Sequence, residues 1–104
     1  MSTFAQAIEA DARLAILAEL ASQGDATLNS QSITRVLDAA GIRRSREWVE
    51  TQLGKLEELG AVTLRQLDLA SLGPTIIAEL TRAGRDHVER RSRIAGVAPP
   101  ADRF

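Results

Sequence analysis

The 104-residue chain has no cysteine and a single histidine, His87. Those absences exclude disulfide frameworks, thiolate zinc sites, iron–sulfur clusters and cysteine nucleophiles, and leave no histidine pair to hold a metal. Aromatic residues make up only 3%. No apolar run approaches the roughly 18 residues of a membrane span, and the first residues lack the basic stretch of a signal peptide. A soluble protein of the cytoplasm, with no membrane partner, is the expectation. An excess of one charge is missing too: 13 Lys and Arg face 14 Asp and Glu, a formal net charge of −1. The chain as a whole exerts no pull on phosphate, so any contact with nucleic acid has to come from local charge placement.

None of the 7 glycines builds a phosphate loop. Glu57 and Glu58 are neighbours on a helix and diverge, and no nucleophile stands with a base. His87 has no second ligand at metal spacing and reads as a hydrogen-bonded or solvent-facing side chain. The sequence therefore points away from an enzyme and implies neither cofactor nor metal.

What is present suits one small folded domain. Leu, Ile, Val and Phe make up about a quarter of the chain, above the roughly 20% below which chains tend to stay disordered. All of the basic residues but Lys55 are arginine, the side chain suited to bidentate contacts with phosphate or carboxylate. Ala10, Leu14, Leu17 and Ala21, widened by Ile8 and Leu20, predict a first helix that stops at Gly24. Residues 25–28 are too short for an independent strand but can join a sheet built later. Asn29 or Ser30 offers a cap for a second helix with Ile33, Val36, Leu37 and Ala40 on one face, ended by Gly41. Ser45 is the next cap, and Val49, Leu53 and Leu56 mark a third helix ending at Gly60.

Beyond Gly60 the period drops to two. Val62 and Leu64 predict a strand, Gly73-Pro74 a turn, and residues 75–80, with Ile76, Ala78 and Leu80 on one face, a returning strand. Thr81 caps a last helix extending to about Ile94. The Pro99-Pro100 pair cannot be helical. One domain over residues 1–95 and a flexible tail over 96–104 are expected.

The order is helix, short strand, helix, helix, strand, strand, helix: mainly α with a small antiparallel hairpin. Two segments resemble the winged helix-turn-helix superfamily. Leu53-Gly54-Lys55-Leu56-Glu57-Glu58-Leu59-Gly60-Ala61-Val62 is similar to its junction between third helix and wing. Leu80-Thr81-Arg82-Ala83-Gly84 is similar to the turn from the second wing strand into the last helix. The resemblance covers residues 8–94. The segment Gly96-Val97-Ala98-Pro99-Pro100 resembles the Gly-Val-x-x-Pro ending of small winged-helix proteins of Mu-like phages and prophages, which implies a phage-derived protein of a bacterial host.

The superfamily resemblance implies a DNA-binding transcriptional regulator whose third helix enters the major groove while the wing touches the backbone. The residues that would meet double-stranded DNA are Arg43, Arg44, Ser45, Arg46, Thr51 and Lys55, with Arg65 and Gln66 on the wing. Against this, residues 45–59 carry two bases and four acids. Setting Val49, Leu53 and Leu56 inward puts Glu47, Thr51, Gly54 and Glu58 at the centre of the outward face. The arginines either contact DNA or pair along a solvated helix, as Arg46 with Glu50. Two functions follow: a DNA-binding module, or a protein-interaction module that offers its acidic third-helix face, with Trp48 at its edge, to a basic partner. Arg82, Arg85, Arg90, Arg91 and Arg93 make the last helix the most basic segment, which either contacts nucleic acid or an acidic partner or carries the cations favoured at a helix C-terminus. The resemblance further implies a homodimer through the first and last helices, where Ala5, Ala7, Ala12, Ala15 and Ala18 allow close approach.

Overall fold

A computed structural model describes residues 3–70 and 73–100. Its elements are α1 (Phe4–Ser22), β1 (Thr27–Asn29), α2 (Ser30–Ala39), α3 (Arg46–Glu58), β2 (Val62–Leu69), β3 (Gly73–Leu80) and α4 (Arg82–Val88). Each helix opens on a side-chain cap. Thr3 and Gln6 form a reciprocal capping box on α1, and Asn29, Ser45 and Thr81 accept from the N–H groups of Ser32, Trp48 and Gly84. Three helices close alike. After α2, the N–H groups of Gly41 and Ile42 bond the Asp38 and Leu37 carbonyls. After α3, those of Gly60 and Ala61 bond Glu57 and Leu56. After α4, those of Arg90 and Arg91 bond His87 and Asp86. Each is a Schellman closure with a left-handed residue at its centre.

The third closure corrects the expected end of the last helix. Arg90 takes φ 67, a conformation in which a stop by glycine is the usual signal, and α4 ends at Val88, well short of Ile94. The first helix also ends differently from expectation. Its cap is Gln23 in an extended conformation, Gly24 is not left-handed, and the positive φ of 58 falls on Ala26. Asp25 then turns the chain, its Oδ1 accepting from the Thr27 N–H at 3.2 Å. The hydrogen bonds to Thr27 hold the Asp25 carboxyl below the usual aspartate range.

The three strands form one antiparallel sheet in the order β1-β3-β2, so the short β1 does join the later hairpin. The hairpin is longer than the sequence suggested. Val62 pairs with Leu80 and Leu69 with Gly73, which puts Gly73 and Pro74 inside β3. Ala70 begins the turn, and residues 71 and 72 lie outside the described residues.

One core joins all the layers: Ala12, Ile16, Leu17 and Leu20 of α1, Ile33 and Leu37 of α2, Val49, Leu53 and Leu56 of α3, with Ala61, Val62, Ala78 and Leu80. Ala12 and Ile16 lie at its centre, where the periodicity had favoured Ala10 and Leu14. Ala40 of the expected α2 stripe is exposed.

The chain from Gly96, expected as a flexible tail, is bonded to the domain over residues 96–98. Val97 is 5% exposed within the core cluster, and the Ala98 N–H donates to the Ala10 carbonyl at 3.1 Å. Arg13 Nη1 donates to the Gly96 carbonyl at 3.0 Å. His87, fully buried, clasps the same segment. Its Nδ1 accepts from the Ile94 N–H at 3.0 Å, so its Nε2–H is the donor to the Ala98 carbonyl at 2.9 Å. Residues 101–104 of the expected tail lie outside the described residues.

Candidate functional site

α3 is held by its buried face, Val49, Gln52, Leu53 and Leu56. That leaves Glu47, Thr51 and Glu58 exposed along the opposite stripe, with Gly54 between them. Ser45 is committed as the helix cap, its Oγ accepting from the Trp48 N–H at 3.1 Å. Around this first turn the structure gathers Arg43, Arg44 and Arg46, all exposed. Arg43 pairs with Asp38 at 3.4 Å and Arg46 with Glu50 at 3.5 Å. The Arg44 guanidinium lies 5.5 Å from the ring centre of the half-buried Trp48, within reach of a cation–π contact.

The acidic residues of α3 are largely held by near neighbours. Glu50 faces Arg46, Glu58 faces Lys55 at 3.5 Å, and Glu57 Oε2 accepts the Leu64 N–H of the hairpin at 3.2 Å. The Thr51 hydroxyl donates back to the Glu47 carbonyl at 3.0 Å. The Glu47 carboxylate has neither ion pair nor hydrogen bond among the described residues. Surface pairs of this kind contribute about 0–1 kcal/mol, so their arginines can be exchanged to another anion at small cost.

The remaining expected site residues sit on two different flanks. Arg65 and Gln66 border a cleft of about 260 Å³ with Glu57, Leu64 and Ile76. Lys55 is on the other side of the helix, bordering a groove with Gln6, Ala10 and Arg13 of α1 and with Val97 and Pro99. Lys55 is thereby separated from the hairpin residues with which the sequence grouped it. Among the described residues, no three His, Asp or Glu side chains converge into a metal-binding set, and no helix is long and apolar enough to cross a membrane.

No protein-family model and no curated protein sequence matches the chain. Among solved structures it is similar to the crystal structure of Bacillus subtilis PadR in complex with operator DNA, with a TM-score of 0.62 and 18% identity. The match covers 88% of this chain and 52% of that one. The fold is a winged helix. The chain spans about half the length of that PadR chain. In this winged helix β2 and β3 are the wing, α2 and α3 the helix-turn-helix pair, and the gathered arginines stand at the turn.

Sequence reasoning missed the polar network behind the winged helix's third helix. Gln52 is fully buried; its Oε1 accepts from Arg13 Nε at 2.8 Å and its Nε2 donates to Glu9 at 2.9 Å. The signal available was position alone, since Gln52 falls between Val49 and Leu53 on the buried face. It also passed over Arg35, exposed on α2 with no ion-pair partner among the described residues. At the end of α4, hydrogen bonds that the Arg91 guanidinium donates to Asp86 and Glu89 push its already high pKa higher, and Arg85 pairs with Glu89 at 3.6 Å. Much of that basic segment is satisfied internally.

Proposed function

We propose that the chain is a winged-helix DNA-binding module, a small transcriptional regulator of phage or prophage type in the bacterial cytoplasm, meeting duplex DNA with the start of α3 and the wing. The observation that carries this reading is the cluster of exposed Arg43, Arg44 and Arg46 around the capped first turn of α3. There, free N–H groups and the positive end of the helix dipole add to their charge. Arg65 adds one positive charge on the wing, beside Glu57. Two of the four carboxylates that opposed DNA binding in the sequence, Glu57 and Glu58, are engaged with the Leu64 N–H and with Lys55, which lessens their repulsion of phosphate. The phage origin is supported by the Gly-Val-x-x-Pro segment, Gly96 to Pro100. In the same reading the molecule is a homodimer through α1 and α4, with Phe4, Ala7 and Ala18 exposed on α1.

The test is fluorescence anisotropy with a random duplex from low to physiological salt. Binding in the micromolar range that weakens linearly in log–log salt is the expected result. Replacing Arg43, Arg44 and Arg46 by Ala should lower affinity and flatten the salt slope by up to about three units. Unchanged binding by that variant would move the site elsewhere. A second reading, a protein-interaction module without DNA affinity, is favoured by the exposed Glu47 and Glu58 and predicts no binding even at low salt.

A further inference from the structure

Gly54 lies in the middle of α3, where glycine is the least favourable residue after proline. The fold supplies no reason for it. Its backbone is not left-handed, and a Cβ built at position 54 meets nothing within 4 Å. The contrast with Gly84 is sharp: there a Cβ would lie 2.3 Å from the Ala61 carbonyl oxygen and 2.7 Å from Leu80 Cδ1. Gly84 is needed by the packing of the domain, and Gly54 is not.

Position 54 falls on the outward stripe of α3, seven residues after Glu47 and three after Thr51, opposite Val49, Leu53 and Leu56. The stripe is therefore low at its centre, with Glu47 projecting near one end. Glu47 is also the α3 carboxylate with no partner among the described residues, whereas Glu50, Glu57 and Glu58 are held at 3.5, 3.2 and 3.5 Å.

We infer that this stripe is the surface that lies in the major groove, that Gly54 lets the α3 backbone approach the base edges closely, and that Glu47 accepts a hydrogen bond from an exocyclic base amine. The inference rests on the duplex-DNA reading above. Cytosine N4 is the matching donor for a carboxylate in the major groove. Arg43, Arg44 and Arg46 beside Glu47 hold the flanking phosphates, which offsets the carboxylate's repulsion from the backbone.

The experiment selects preferred duplexes from a random library with the wild-type chain. It then compares wild type, Gly54→Ala, Gly54→Met and Glu47→Ala for affinity and for urea midpoint. Gly54→Ala should unfold at higher urea than wild type, and Gly54→Met at no lower urea. Gly54→Met should nevertheless bind the selected duplex about tenfold or more weakly, and Glu47→Ala should lose a cytosine preference at one position at a similar cost in discrimination. Equal affinity of Gly54→Met and wild type would overturn the inference and leave the DNA reading standing. A lowered urea midpoint for Gly54→Ala would overturn it too, because the glycine would then serve the fold. If the wild-type chain binds no duplex at low salt, the DNA reading itself fails and this inference with it.

Discussion

At position 84 a single hydrogen decides how the last helix docks. The N-terminal turn of α4 presses on the backbone at Ala61, and no side chain fits between them. Gly84→Ala should therefore destabilise the domain by about 1–3 kcal/mol through overpacking, read as a lower urea midpoint with an unchanged slope. The outcome runs opposite to Gly54→Ala, where the added methyl enters open space. Composition treats the two glycines as equivalent, and the Leu-Thr-x-x-Gly pattern of residues 80–84 marks only Gly84. His87 is a similar case. The sequence offered hydrogen bonding or solvent exposure; the structure buries the ring and uses both nitrogens.

The starts of α2, α3 and α4 were legible in their capping residues, while the Thr3–Gln6 box that opens α1 went unread. Asn29, Ser45 and Thr81 cap the helices expected of them, and Gly41 and Gly60 close two. The boundary was lost where an ordinary residue takes the left-handed position, Arg90 after α4 and Ala26 before β1. Past the closure at Arg90 the chain folds back, and the buried His87 bonds the Ile94 N–H and the Ala98 carbonyl. His87→Leu should strand both groups, lower stability by about 1–3 kcal/mol, and speed protease cleavage within residues 94–98. Wild-type cleavage rates in that variant would mean that Val97, Arg13 and the bond from the Ala98 N–H to the Ala10 carbonyl hold the segment without it.

For the whole molecule, the near-zero net charge conceals how charges are paired. On α3 Glu50, Glu57 and Glu58 lean on their own helix or on the wing while Glu47 does not, and near the end of α4 Arg85 and Arg91 lean on Asp86 and Glu89. Arg44 and Arg65, both among the residues expected at DNA, have no ion-pair partner among the described residues. A homodimer through α1 would bury the exposed Phe4, 81% accessible in the single chain. Sedimentation equilibrium should then show a concentration-dependent dimer that Phe4→Ser weakens; a monomer at all concentrations would remove the dimer from the proposal.

The order of elements, the caps of α2, α3 and α4, and the core positions Ile33, Leu37, Val49, Leu53 and Leu56 were determined by the sequence itself, because helical and strand periods and capping side chains act over a few neighbouring residues. The charge pairing on α3, the burial of Gln52 against Arg13 and Glu9, the anchoring of Val97, and the difference between Gly54 and Gly84 were decided only in the tertiary structure. Each depends on atoms brought together from distant parts of the chain, and local pattern carries no record of such contacts. Whether a missing side chain makes room for the protein's own backbone or for something outside it is a fact about space, and space is set by the fold.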